Sequence, residues 1–158
     1  MIFIDSSVFL VLYLDEPGAD DAKEILENVE ANKVEGVITP LVLEEVTFKV
    51  IFAEASRLLD TRNAWKIKNA LKKDSSLREE ISKVLNKVKS HIDVLEKGGL
   101  RVVDIYPTDW RNGLNYVLKY GILPADSIHL AVMERLNIKT IATFDDDFRL
   151  VEGIDVIP

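Results

Sequence analysis

The chain has 158 residues, 47% of them apolar and 30% charged, with a formal net charge of −7. That length suits one domain able to bury its own core. The absence of cysteine excludes disulfides, thiolate catalysis and cysteine-ligated zinc, and no apolar run approaches the ~20 residues of a membrane helix.

The N-terminal MIFID reads as a strand ending at Asp5. It is followed directly by SSVFLVLYLD, a helix with Ser6 or Ser7 as its cap. Neither a basic leader nor a signal-peptide pattern is visible, so a soluble cytoplasmic protein is expected. Pro17 opens a second helix to about Asn32, apolar at Ala22, Ile25, Leu26 and Val29. EGVIT is a second strand after a turn at Gly36, and Pro40 starts a helix to about Leu59. From Asn63 to Lys97 an apolar stripe (Leu71, Leu77, Ile81, Val84, Leu85, Val88, Ile92, Leu95) recurs at helical spacing. Asp74-Ser75-Ser76 interrupts it, which predicts a helical hairpin ended by Gly98-Gly99. RVVDIY is a third strand, and Thr108 or Asp109 caps a helix to Tyr120. Pro124 opens another helix, IKTIAT is a fourth strand, and IDVIP a short fifth.

Strands alternating with helices predict a three-layer α/β/α fold around a mainly parallel sheet of about five strands. The helical hairpin at about 57–97 is expected to be an insertion within one domain spanning residues 1–158. Its charge sets it apart. Residues 57–89 hold ten Lys/Arg against four Asp/Glu, a net of +6, while the rest of the chain carries −13. Lys66, Lys68, Lys72 and Lys73 lie in this segment. A lysine-rich face is usually just solvated, but a local basic cluster on an acidic body also suits phosphate contacts to RNA.

The acids fall in a pattern. In an open parallel sheet, ligands sit beyond the carboxyl ends of the strands. Asp5 closes the first strand, and Asp145 follows the fourth by two residues. Asp126 lies in the first turn of a helix, where the macrodipole favours negative charge. Glu45 or Glu44 follows the second strand, and periodicity alone leaves the choice open. If these ends meet, the carboxylates repel, and a divalent cation removes the conflict. All-oxygen ligation suits Mg2+ or Mn2+, and two such ions would serve phosphodiester hydrolysis.

MIFIDSSVFL, TPLVLEEV, LPADSIHLAV and IATFDDDF, in this order, resemble the PIN-domain family, in particular its small VapC-like toxin members. The resemblance covers nearly the whole chain outside the hairpin, which is longer than the one compact relatives carry. It implies a catalytic metal quartet of Asp5, Glu45, Asp126 and Asp145, which selects Glu45 over Glu44. It implies hydroxyl help near the metal from Ser7 and Thr143, and an extra acid at Asp147. It implies a Mg2+- or Mn2+-dependent endoribonuclease, a VapB-like antitoxin as partner, and a homodimer. The hairpin's apolar stripe is expected as a dimer surface, because a solitary hairpin would leave it bare.

Each residue also has a plainer reading. Asp5 would cap the following helix, Asp126 would be a first-turn acid, Glu45 a surface glutamate, and Asp145 to Asp147 a turn and cap. His129 is expected to be packed, and His91 solvated. Trp65, Trp110, Tyr106 and Tyr116 would stack on bases or serve in the core or an interface. Two alternatives to a toxin share the fold: an RNA-processing PIN nuclease without an antitoxin, and an idle PIN-fold binding module. A haloacid-dehalogenase-type phosphotransferase is disfavoured by Ser7 where a second aspartate is needed, and no G-x-G-x-x-G, P-loop or EF-hand pattern occurs.

Overall fold

Five short runs of three residues each build the sheet of the computed structural model, which describes residues 1–158. They are β1 (Ile2–Ile4), β2 (Gly36–Ile38), β3 (Leu100–Val102), β4 (Thr140–Ala142) and β5 (Asp155–Ile157). The spatial order is β3-β2-β1-β4-β5, and every pairing is parallel. Phe3 pairs with Val37 on one side and Ile141 on the other. All three are buried, as expected for strands covered on both faces.

The helices are α1 (Ser6–Tyr13), α2 (Ala19–Glu30), α3 (Pro40–Leu59), α4 (Ala64–Lys73), α5 (Ser75–Lys97), α6 (Pro107–Tyr120) and α7 (Pro124–Arg135). The chain moves outward from β1 through β2 to β3, then crosses back to β4 and β5. Right-handed crossovers therefore put α1 to α5 over one face and α6 with α7 over the other. The core between them is a cluster of 26 buried residues, including Phe3, Phe9, Leu26, Ile38, Met133 and Phe148.

Two helix starts differ from the sequence expectation, and at a third the plainer of two readings holds. The cap of α1 is Asp5, whose carboxylate accepts from the Ser7 N–H at 3.2 Å. Ser6 and Ser7 are already inside the helix. Helix α2 begins at Ala19 because Gly18 adopts a φ of 100°, open to glycine without steric cost. The cap position of α6 is Tyr106, and Asp109 sits three residues in, accepting from the Tyr106 N–H at 2.8 Å.

The hairpin also differs. Asn63 and Asp74 cap its two helices through Lys66 N and Leu77 N, so the break falls where the sequence marks it. Its apolar stripe, however, is not bare. Ile92 and Leu95 belong to the main core. Leu77 and Ile81 join Ala55 and Ile67 in a satellite cluster that clamps the end of α3. Helix α5 packs on α3 and α2, so much of the stripe is covered within the chain, while Leu71, Val84, Leu85 and Val88 stay half-buried. His91 is half-buried rather than fully solvated: its Nδ1 lies 2.9 Å from the Tyr13 hydroxyl, and burial lowers its pKa.

Helices α6 and α7 approach closely at Gly113, where a Cβ would meet Ser127 O and Oγ at 3.1 Å. Their other tie is ionic. Asp109, 1% exposed, takes two hydrogen bonds from Arg135 at 2.8 and 3.0 Å. Burial would raise its carboxyl, but Arg135 and the Tyr106 N–H outweigh burial and lower it. Arg135→Ala leaves that charge buried and unpaired, and is expected to cost about 3 kcal/mol, read from the midpoint of urea unfolding.

No helix is long and apolar enough to cross a membrane.

Candidate metal centre

The sheet reverses its winding between β1 and β4, and the crevice beyond their carboxyl ends is where an α/β sheet binds ligands. The backbone carries the β1–β4 ladder past the strands: Asp5 N donates to Ala142 O at 2.9 Å. Asp5 and Thr143 therefore leave adjacent strands side by side.

Hydroxyl groups fix Asp5. Its Oδ2 accepts from Ser7 Oγ at 2.6 Å and Thr143 Oγ1 at 3.0 Å, besides the Ser7 N–H. Those three donors all fall on one oxygen, so the other carboxylate oxygen is left for a ligand. The two hydroxyls also accept. Phe144 N donates to Ser7 Oγ and Asp145 N to Thr143 Oγ1, at 2.9 and 3.0 Å. Ser7 and Thr143 thus tie the loop after β4 to the start of α1. Asp5 both caps the helix and lines the crevice, so its plain and chemical roles coexist.

Ser7→Ala removes one donor to Asp5 and one acceptor for the loop. Divalent-metal affinity is expected to fall about 10- to 100-fold, the usual cost of losing a group that orients a ligand. Isothermal titration calorimetry with Mn2+ measures it.

Asp126 enters from the N-terminus of α7. It is half-buried, and its carboxyl is pushed up to about 7, by burial first and then by Asp5, Asp145, Glu45 and Asp147. The ligand atoms that come within 4.8 Å of one another are those of Asp5, Asp126 and His129, with Glu45, Asp145 and Asp147 farther out but close enough to act on Asp126. Glu45 sits on α3 facing this point, whereas Glu44 is exposed on the helix's other side, beside Phe48 and Ile51. Burial works against the Glu45 charge, but Lys49 and Ser6 beside it outweigh burial and lower its pKa. Asp145 and Asp147 lie at the solvent edge. Asp145 Oδ1 accepts from Asp147 N at 2.9 Å and so caps a short 3-10 helix, Asp146–Leu150. The crowding of the triple aspartate is relieved locally, since Asp146 turns outward to Arg149 at 3.1 Å.

One group escaped the sequence reading, and another was read there only as a packed residue. Lys49 Nζ stands 2.6 Å from Glu45, one helical turn along α3, an i,i+4 pair visible in principle from spacing. It is the one cation lining a 510 Å³ cleft beside the acids, with Ser7, Phe144 and Asp145 among its walls. His129 is wholly buried, as expected, against the Phe3 ring at 5.1 Å. Yet it lies one turn after Asp126, and one of its ring nitrogens falls within 4.8 Å of ligand oxygens of both Asp5 and Asp126. The donor set fits a divalent cation: carboxylates crowded enough to hold a proton near neutrality need a positive charge among them.

The remaining expected contacts lie elsewhere. Lys66, Lys68, Lys72 and Lys73 are exposed along α4. Trp65, Trp110 and Tyr106 are exposed, and Tyr116 is half-buried.

A family profile described as "PIN domain" matches residues 2–154. The chain is 30% identical over 160 residues to Ribonuclease VapC6 of Methanocaldococcus jannaschii, spanning 99% of this chain and 95% of that one. It is 27% identical over 158 residues to Ribonuclease VapC2 of the same organism, spanning 99% and 92%. Among solved structures, Mycobacterium tuberculosis VapC20, a Sarcin-Ricin loop cleaving toxin, superposes with a TM-score of 0.61 at 17% identity over the full length of both chains. A toxin–antitoxin complex from Klebsiella pneumoniae superposes at 0.60 with 13% identity, covering 100% of this chain and 97% of that one. These structural likenesses show a shared fold.

Proposed function

The chain belongs to the PIN-domain family, and on that premise we propose that it is a metal-dependent endoribonuclease, the VapC-like toxin of a toxin–antitoxin pair. The observation that carries the reading is the gathering of acids at the sheet's carboxyl edge: half-buried Asp126 at the start of α7 brings a ligand oxygen within 4.8 Å of Asp5 at the end of β1, with Asp145 after β4 and Glu45 on α3 near enough to raise its carboxyl. Asp5, Glu45, Asp126 and Asp145 would hold Mg2+ or Mn2+, which supplies an activated water and neutralises charge on the phosphodiester. Ser7 and Thr143 keep Asp5 in one orientation. Lys49, released from Glu45, would reach a substrate phosphate in the adjoining cleft, and Phe144 would offer a stacking face. The cleft has the volume of an ordinary small-ligand site, which suits one nucleotide. The lysines of α4 would gather RNA that the acidic body repels. Both relatives are named ribonucleases, and toxin–antitoxin complexes among the fold neighbours support an antitoxin as partner. Trp110, Leu114 and Leu118 of α6 offer an exposed apolar face for self-association.

The direct test is incubation of structured and unstructured RNA with purified protein. Internal cleavage is expected with Mg2+ or Mn2+ and none after EDTA. Cleavage that survives the chelator would count against the reading.

One observation favours an idle binding module on the same fold. The Lys49–Glu45 ion pair already neutralises one of the acids. A protein that neither binds divalent ions nor cuts RNA, yet retains RNA or protein partners, would be that module.

A further inference from the structure

We infer that His129 is a protein ligand of the ion held by Asp5 and Asp126, and that its nitrogen makes the centre prefer Mn2+ and other imidazole-binding divalent ions over Mg2+. This rests on the metal-nuclease reading and adds to it a nitrogen donor and an ion class.

His129 is 0% exposed, and its Nε2 is the one buried side-chain polar atom without a hydrogen-bond partner. An orphaned buried nitrogen is costly and calls for a partner. The other ring nitrogen has one: Nδ1 lies 3.3 Å from Thr39 Oγ1, and Thr39 is also 0% exposed. With Nδ1–H donating to that hydroxyl, Nε2 presents a lone pair. Metal-bound histidines characteristically donate their second ring N–H in this way, which fixes tautomer and ring orientation. The Phe3 ring, tilted 39° at 5.1 Å, limits rotation of the imidazole.

The lone pair would point at carboxylate oxygens, which donate nothing when ionised. Asp5, Asp126 and His129 each bring one ligand atom within 4.8 Å of the others, yet neither carboxylate hydrogen-bonds Nε2. Two ligands bound to one ion at about 2.1 Å each can be no more than about 4.2 Å apart, so small side-chain adjustments close the triangle. A cation at its centre satisfies both carboxylates and the nitrogen together. Mg2+ is a hard ion that keeps oxygen ligands and water, whereas first-row transition ions also accept imidazole nitrogen, Mn2+ the most weakly of the series and Cu2+ the most strongly. An aliphatic side chain at this buried position would pack without leaving a nitrogen to satisfy.

Pulsed EPR of the full-length protein loaded with Mn2+ alone reads the ligand directly. Modulation from a directly coordinated imidazole 14N is expected in the native protein and absent in His129→Leu. By calorimetry, His129→Leu should weaken Mn2+ binding tenfold or more and change Mg2+ binding by less than about threefold. Bound Mn2+ without 14N coupling in the native protein overturns the inference and leaves the ribonuclease reading standing, with His129 then partnered by water. Failure of the native protein to bind either ion overturns both. The native spectrum decides the matter even if His129→Leu does not fold.

Discussion

Asp126→Asn is expected to reduce RNA cleavage on the order of a thousandfold and, in the same protein, to raise the melting temperature of the metal-free form. The two effects share one cause. The Asp126 carboxyl is raised from 3.8 to about 7 by burial and then by the charges of Asp5, Asp145, Glu45 and Asp147. A raised acid means that the folded state binds a proton that the unfolded state has lost between about pH 4 and pH 7. Its favourable contribution is complete below the lower value and disappears as pH rises through the upper one. Above pH 7 the folded protein therefore carries an unrelieved repulsion. A shift of this size corresponds to about 4 kcal/mol for a fully enclosed group, but Asp126 is only half-buried, and solvent screening reduces it to about 1–2 kcal/mol.

Asparagine keeps the shape and removes the charge. At pH 8 without metal, the variant should melt a few degrees higher than the native protein, at about 2–4 °C per kcal/mol for a chain of this length. At pH 4 the two should coincide. Differential scanning fluorimetry in EDTA across pH 4–8 tests the stability half, and an RNA cleavage assay tests the other. A variant that is destabilised at pH 8 would mean that Asp126 serves the fold and not an ion. A stabilised variant with full activity would remove Asp126 from the chemistry.

What was legible in the sequence follows from what each signal encodes. Strand runs such as MIFID and IKTIAT are short and apolar, the first closed by Asp5 and the second followed two residues later by Asp145, so a parallel sheet with acids at its carboxyl edge could be read from pattern. Helix starts were less legible, because capping depends on backbone angles that several adjacent residues can adopt. SSVF offered two serines beside Asp5, and the cap is Asp5, whose carboxylate accepts from Ser7 N. The hairpin's fate was not legible. A stripe of Leu and Ile records that something covers it, not whether the cover is α3 of the same chain or a second molecule. Lys49 and His129 sit at helical spacing from Glu45 and Asp126, so proximity was available from sequence. Direction was not: which ring nitrogen pairs with Thr39, and which is left without a partner, depends on a contact 90 residues away.

The same repulsion that destabilises the metal-free protein sets how strongly an ion should stabilise it, and at what pH. At pH 8 all the acids near Asp126 are available, and a divalent ion at one hundred times its dissociation constant adds about 2.7 kcal/mol to the folded state. For this chain length that is a rise of roughly 5–10 °C in melting temperature. At pH 5.5 Asp126 is almost wholly protonated, given a value of about 7, and the ion must displace that proton. The displacement weakens apparent affinity about thirtyfold, so the same ion concentration adds only about 1 kcal/mol, or some 2–4 °C. Mn2+ titrations followed by thermal melting at the two pH values measure the difference. Asp126→Asn should show little metal-induced shift at either, since its stability no longer depends on relief of that charge. Equal shifts at pH 5.5 and pH 8 would mean that the ion binds away from Asp126. No shift at all at pH 8 would leave the clustered carboxylates without a cation to balance them, and Lys49 as the only positive charge the crevice has.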